Sequence, residues 1–153
     1  MPRSGLAVSP VLVCCVLAVS CASPAAPTAS DPLDEFVHNL RQQGLTVAMG
    51  DQISPQDNRF FSVPAQQIRV NDAQVNAFVY PSAQIASAEA ALISEDGQPS
   101  PTARISWVST PRFYRKDALI VLYVGCRQEI VQALAVTVGT PLVMGLTPCG
   151  SAD

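Results

Sequence analysis

Residues Ile68 to Tyr80 read IRVNDAQVNAFVY, and how the chain turns inside this stretch decides the fold. Two runs with β character, Gln66–Val70 and Ala73–Tyr80, flank Asn71-Asp72, residues that accept the left-handed backbone of a tight turn better than most. A two-residue turn there puts Val70 opposite Ala73 and Ile68 opposite Val75. Side chains alternate along a strand, so Ile68, Val70, Val75, Ala77 and Val79 share one face. Phe78 and Tyr80 point to the other, so the second strand is expected to be covered on both sides.

Outward from this hairpin the chain repeats the device. Arg104 to Tyr114, a turn near Lys116-Asp117 and Ala118 to Val124 read as a second hairpin. Its ALIVLYV run, residues 118–124, suits a central strand buried on both faces. Pro111 implies a bulge or bend in the partner strand. Leu45 to Ile53 supplies a further strand, closed by the turn-forming residues Ser54 to Asn58.

Three segments carry helical spacing. Leu33, Phe36, Val37 and Leu40 define a helix over 32–43, with Asp31 as cap, Pro32 at its first position and Gly44 as its stop. Ile85, Ala88, Leu92 and Ile93 define a second behind Ser82, with Glu89 toward solvent. Ile130, Leu134 and Val138 define a third over 129–138, ended by Gly139 and Pro141. Hairpins give antiparallel pairing, and amphipathic helices need one face to cover. The expectation is an α+β domain over residues 32–150: a two-layer sandwich, with an antiparallel sheet of about five strands built from two hairpins and three helices mainly on one face.

The amino terminus reads differently. Residues 1–20 carry Arg3 and then an apolar run from Leu6 to Val19, broken by Ser9 and Pro10. Its length falls short of the roughly 20 residues a bilayer-spanning helix needs, which favours a secretory signal over an anchor that keeps Cys14, Cys15 and Cys21 as ordinary apolar residues. Leu17-Ala18-Val19-Ser20-Cys21 resembles the bacterial lipobox. That resemblance implies cleavage before Cys21 and acylation of its sulfur, and so a lipoprotein held in the cell envelope by a lipid anchor on a membrane. Two or more acyl chains anchor stably where one binds only marginally. Residues 22–30, ASPAAPTAS, then form a Pro-containing tether that reaches on the order of 28 Å when extended. Loss of the signal removes Arg3 and takes the formal charge from −3 to −4.

The remaining residues narrow the chemistry. Charged residues make up 14% of 153, and the balance is mildly acidic, which offers no footprint for nucleic acid. His38 is the only histidine, and no glycine-rich phosphate loop is present, so no metal and no organic cofactor is expected. The carboxylates Asp31, Asp34 and Glu35 belong to a helix start, and Glu95 and Asp96 to a polar loop. No catalytic residue is assigned. Of the five cysteines, Cys126 and Cys149 stay unassigned after lipidation, and an exported compartment favours their pairing across a loop of 24 residues. Arg112, Phe113, Tyr114, Arg115 and Lys116 form the basic-aromatic cluster of the chain. It reads either as a strand with alternating faces or as a contact for an anionic partner. Trp107 is expected in the core.

Phe60-Phe61-Ser62-Val63-Pro64, IRVNDAQVNAFVY and RFYRKDALIVLYVG together resemble a group of small bacterial proteins without an assigned activity. The likeness spans residues 33–140 and implies the same fold. The expected role is that of a membrane-anchored envelope lipoprotein whose domain binds an envelope protein or polymer without catalysis. The alternative is a small-ligand sensor, or a carboxylate-based hydrolase, with a pocket between sheet and helices.

Overall fold

Asp31 is the first described residue: its Oδ1 accepts the Leu33 N–H at 2.9 Å and so caps the first helix, α1 (Pro32–Gln42). The computed structural model describes residues 31–99 and 104–145. The expected signal segment (1–20), Cys21, the expected tether (22–30) and Cys149 lie outside the described residues. Phe36, Val37 and Leu40 are buried on one face of α1, as their spacing dictates.

Strand β1 (Val47–Ile53) leads into α2 (Pro55–Asn58), a single helical turn where the sequence reads as a plain turn. Buried Asn58 explains it. Its amide donates to the Ser54 and Val63 carbonyls at 3.1 and 3.2 Å, and its Oδ1 accepts the Phe60 N–H at 2.8 Å. One side chain thereby fixes the loop that carries Phe60 and Phe61.

The deciding hairpin forms between β2 (Ala65–Val70) and β3 (Ala73–Val79), with Val70 opposite Ala73 and Ile68 opposite Val75, the register expected of a two-residue turn. Asn71 takes a φ of +51°, and its side-chain oxygen accepts the Thr46 N–H at 3.0 Å. After α3 (Ala83–Ala90) comes the second hairpin, β4 (Pro111–Lys116) and β5 (Leu119–Val124), turning at Asp117-Ala118 with Asp117 at φ +50°. Helix α4 (Gln128–Val138) and a two-residue strand β6 (Val143–Met144) complete the described chain.

The described strands make one antiparallel sheet in the order β1-β2-β3-β5-β4-β6. The α+β class stands, with six strands rather than five and four helices rather than three. The layering differs from expectation. Helices α1 and α4 cover one face, over Ile68, Val70, Val75, Tyr114, Val121 and Tyr123. Helix α3 and the Phe60–Phe61 loop cover the other, over Phe78, Phe113, Ile120 and Leu122. The molecule is therefore a three-layer arrangement. Residues 119–123 of β5 are apolar at every position and buried on both faces, and a sheet with such a centre leaves half its core wet unless both sides are covered.

Two local expectations also change, and one element was not expected. On α3 the buried side chain is Ala86, with Ala90 half-buried, while Ile85 and Leu92 are 44% and 50% exposed. The helix ends at Ala90, so Ile93 reaches the core from the turn beyond it. Pro111 causes no bulge: it is the first residue of β4 and pairs with Val124, a position where its missing N–H is tolerated. β6 is too short to announce itself by alternation, and it exists because Leu142 and Gly145 donate to the Phe113 and Pro111 carbonyls at 2.7 and 2.9 Å.

Candidate functional site

The basic-aromatic cluster does not form one surface. Along β4, Phe113 points into the α3-side core and Tyr114 into the α1/α4-side core, both without exposure. Arg112 is buried as well, its guanidinium donating to the Gly125 carbonyl. Arg115 and Lys116 are half-buried at the turn. Strand alternation separates five sequence neighbours that a contact patch would need together.

Lys116 instead closes a cleft of about 190 Å³ between α1, the end of α4 and the β4–β5 turn. Its Nζ donates to Glu35 Oε1 at 2.8 Å. That hydrogen bond, then the Lys116 charge, hold the Glu35 carboxyl below its ordinary range, with Asn39 adding a weaker bond. Thr137 donates to the Ala133 carbonyl at 2.8 Å and accepts from Gln43 Nε2 at 2.6 Å. Around an apolar floor of Phe36, Leu119 and Val138, these polar groups answer one another. The cleft is thus a helix-to-hairpin joint, with its carboxylate held in an ion pair.

The other singled-out side chains are dispersed. His38 is exposed, 3.4 Å from Gln42 Nε2. Asp34 and Glu95 are exposed, and Asp96 is bonded to Ser94 and paired with Arg104 at 3.4 Å. The Ser94 bond is the main cause that lowers its carboxyl. Trp107 is half-buried, stacks on Phe60 at 5.8 Å and donates to the Gly97 carbonyl at 3.1 Å, as a core-edge residue. Cys126 Sγ lies 3.5 Å from the hydroxyls of Ser109 and Thr110. Among the described residues no group of three or more His, Cys, Asp or Glu is placed to hold a metal ion. No described helix is long and apolar enough to cross a membrane.

A surface that the sequence reading passed over lies on the α3 side of the sheet. Helix α3 packs over β4 and β5, and the Phe60–Phe61 loop covers Phe78 of β3 and Ala65 of β2. Register places Gln67 opposite Asn76 and Arg69 opposite Gln74, four polar side chains in a block, half-buried or exposed. Next to them, Asp72, Gln74, Asn76, Val124, Cys126 and Arg127 line a concavity of about 420 Å³. The signal was present as a polar residue at every second position of the deciding hairpin, the complement of its apolar face.

No protein-family model, curated protein or solved structure matches this chain.

Proposed function

We propose that this protein is an exported bacterial lipoprotein, anchored through Cys21, whose folded domain works in the cell envelope as a binding module. The observation that carries this reading is the junction at Asp31. A lipobox-like sequence at 17–21 and a Pro-containing tether run directly into a capped helix start. The chain is thereby divided into address, spacer and domain. Glu35, the carboxyl of the cleft between helices and hairpin, is lowered by Lys116, which suits an ion pair and not the role of a general acid.

The pairing of Cys126 with Cys149 belongs to the same proposal. Gly145 is bonded to Pro111, whose β5 partner Val124 precedes Cys126 by two residues. The four residues from Gly145 to Cys149 reach roughly 13 Å when extended, enough for a bridge that ties the tail to the end of β5. The lipid anchor is tested by labelled palmitate and membrane fractionation of the wild type and Cys21→Ser. The expected result is label and membrane retention for the wild type, with an unlabelled, released Cys21→Ser. A Cys21→Ser protein that stays wholly in the membrane overturns the anchor.

A further inference from the structure

We infer that the cleft between α1, the end of α4 and the β4–β5 turn binds a free α-amino acid with a short branched apolar side chain. The inference rests on the binding-module reading above and gives that module a site and a ligand class.

Three ion pairs join described residues, and one of them differs from the others. Arg104 and Asp96 are eight residues apart around one loop, and Arg127 and Glu129 two apart at the start of α4. Lys116 and Glu35 are 81 residues apart, on the hairpin turn and on α1, and both line one cleft. Their side chains stay 41% and 51% exposed, while Phe36, Leu119 and Val138 in its floor are 2%, 3% and 5% exposed. Opposite charges thus stand at the rim of an apolar depression. About 190 Å³ stay open above that floor, on the order of six waters at ~30 Å³ each, which admits a ligand of roughly eight non-hydrogen atoms.

The rim selects the chemistry. An α-ammonium group carries N–H donors only, and a carboxylate acceptors only. Glu35, Asp117 and the Asn39 amide oxygen line the cleft as acceptors, and Lys116 lines it as a charged donor. A lone amine leaves Lys116 unanswered, and a lone carboxylate faces Glu35 and Asp117. An α-amino acid answers both, because its two charges share one carbon and stay at the rim while its side chain reaches the floor. Charge complementarity of this kind fixes orientation as well as attraction. Entry of the ligand requires Lys116 and Glu35 to part, and an exposed ion pair resists that weakly. One pair is then exchanged for two. A zwitterionic lipid headgroup offers the same charges but sends no apolar group to the floor, and the experiment separates it.

The test titrates valine into the full-length protein in detergent micelles and follows the methyl signals of Leu119 and Val138 by NMR. Expected are saturable shifts with a Kd on the order of 1 mM. Isobutylamine, which lacks the carboxylate, and isovalerate, which lacks the ammonium, should each bind weaker by about 10-fold or more. Glycine, without the side chain, should bind weaker by about 10-fold. Lys116→Ala should weaken valine by about 10-fold or more, with melting close to the wild type's to exclude misfolding. Arg104→Ala, which removes a different ion pair, should bind valine like the wild type. No saturable shift, equal binding of isobutylamine or isovalerate, or binding indifferent to Lys116→Ala overturns the inference. A short-chain phosphatidylethanolamine that shifts the same signals where valine does not overturns it in favour of a lipid headgroup. Palmitate labelling of the same preparation keeps the two readings apart. A labelled, membrane-retained protein that ignores valine overturns the amino acid and leaves the anchored module. An unlabelled protein that binds valine overturns the anchor and supports the amino acid.

Discussion

Gly125 shows what a single position decides. A Cβ built there would stand 2.5 Å from the Tyr123 hydroxyl, which accepts the Arg127 N–H at 3.2 Å and turns the chain from β5 into α4. Tyr123 is buried and cannot swing away. Gly125→Ala should therefore destabilise the domain by about 1–3 kcal/mol through overpacking, read as a lower urea midpoint with unchanged slope. Tyr114 gives the opposite case. Its hydroxyl is buried with no hydrogen-bond partner among the described residues, and burial pushes its pKa up. Tyr114→Phe removes a desolvated polar group at no loss of contact and should leave stability unchanged or raise it by up to ~1 kcal/mol in the same measurement. Glu35 has its carboxyl lowered by Lys116, so the pair contributes stability above the ordinary carboxyl range and loses it as pH falls through the depressed folded value. In Lys116→Ala an NMR titration should find the Glu35 carboxyl shifted upward. An unmoved titration would show that the pair does not form in solution.

At the scale of the element, helix α3 separates what periodicity reveals from what it conceals. Ser82 caps it as its residue type suggests, accepting the Ile85 N–H at 3.3 Å. The face with Ile85 and Leu92 is not the buried one, which centres on Ala86. Alanine lets the helix approach the sheet closely, so the face that disappears is the one with the smallest side chains. The register is tested by a pair of substitutions followed in thermal melts. Ile85→Ser, on the exposed side, should change stability by no more than about 0.5 kcal/mol, while Ala86→Leu, on the fully buried side, should cost about 1–3 kcal/mol. The reverse order would place α3 a third of a turn from its position in the structure. The deciding hairpin was legible to the residue, since a two-residue turn leaves its strands no freedom of register. β6 was not legible, because two residues have no period.

For the whole molecule, the notable feature among the described residues is a sheet with a buried apolar cluster on each face. The buried clusters hold the apolar residues of β2, β3, β4 and β5, while Gln67, Arg69, Gln74 and Asn76 at the Asn71 end of the first hairpin are half-buried or exposed. The tail adds a second constraint at this scale. If Cys126 and Cys149 pair, closure of a 24-residue loop restricts the unfolded chain. The chain-entropy relation then assigns about 3 kcal/mol to the bridge. Cys126→Ser and Cys149→Ser should each lower stability by that order and the double variant by no more than either. Additive losses, or free thiols by mass spectrometry in exported protein, would count against the bridge.

Sequence by itself determined the hairpin register, the capped start at Asp31, the ends of α1 and α4, and the division of the chain into signal, tether and domain as an expectation. All of these depend on residues near one another in the chain, where turn geometry, capping and periodicity act directly. Only the tertiary structure decided that β4 divides Phe113 and Tyr114 between two cores and that α3 lies opposite α1 and α4. Which face a helix takes depends on the total apolar area left on each side of the sheet. That area is summed over strands far apart in sequence, and no local pattern carries it.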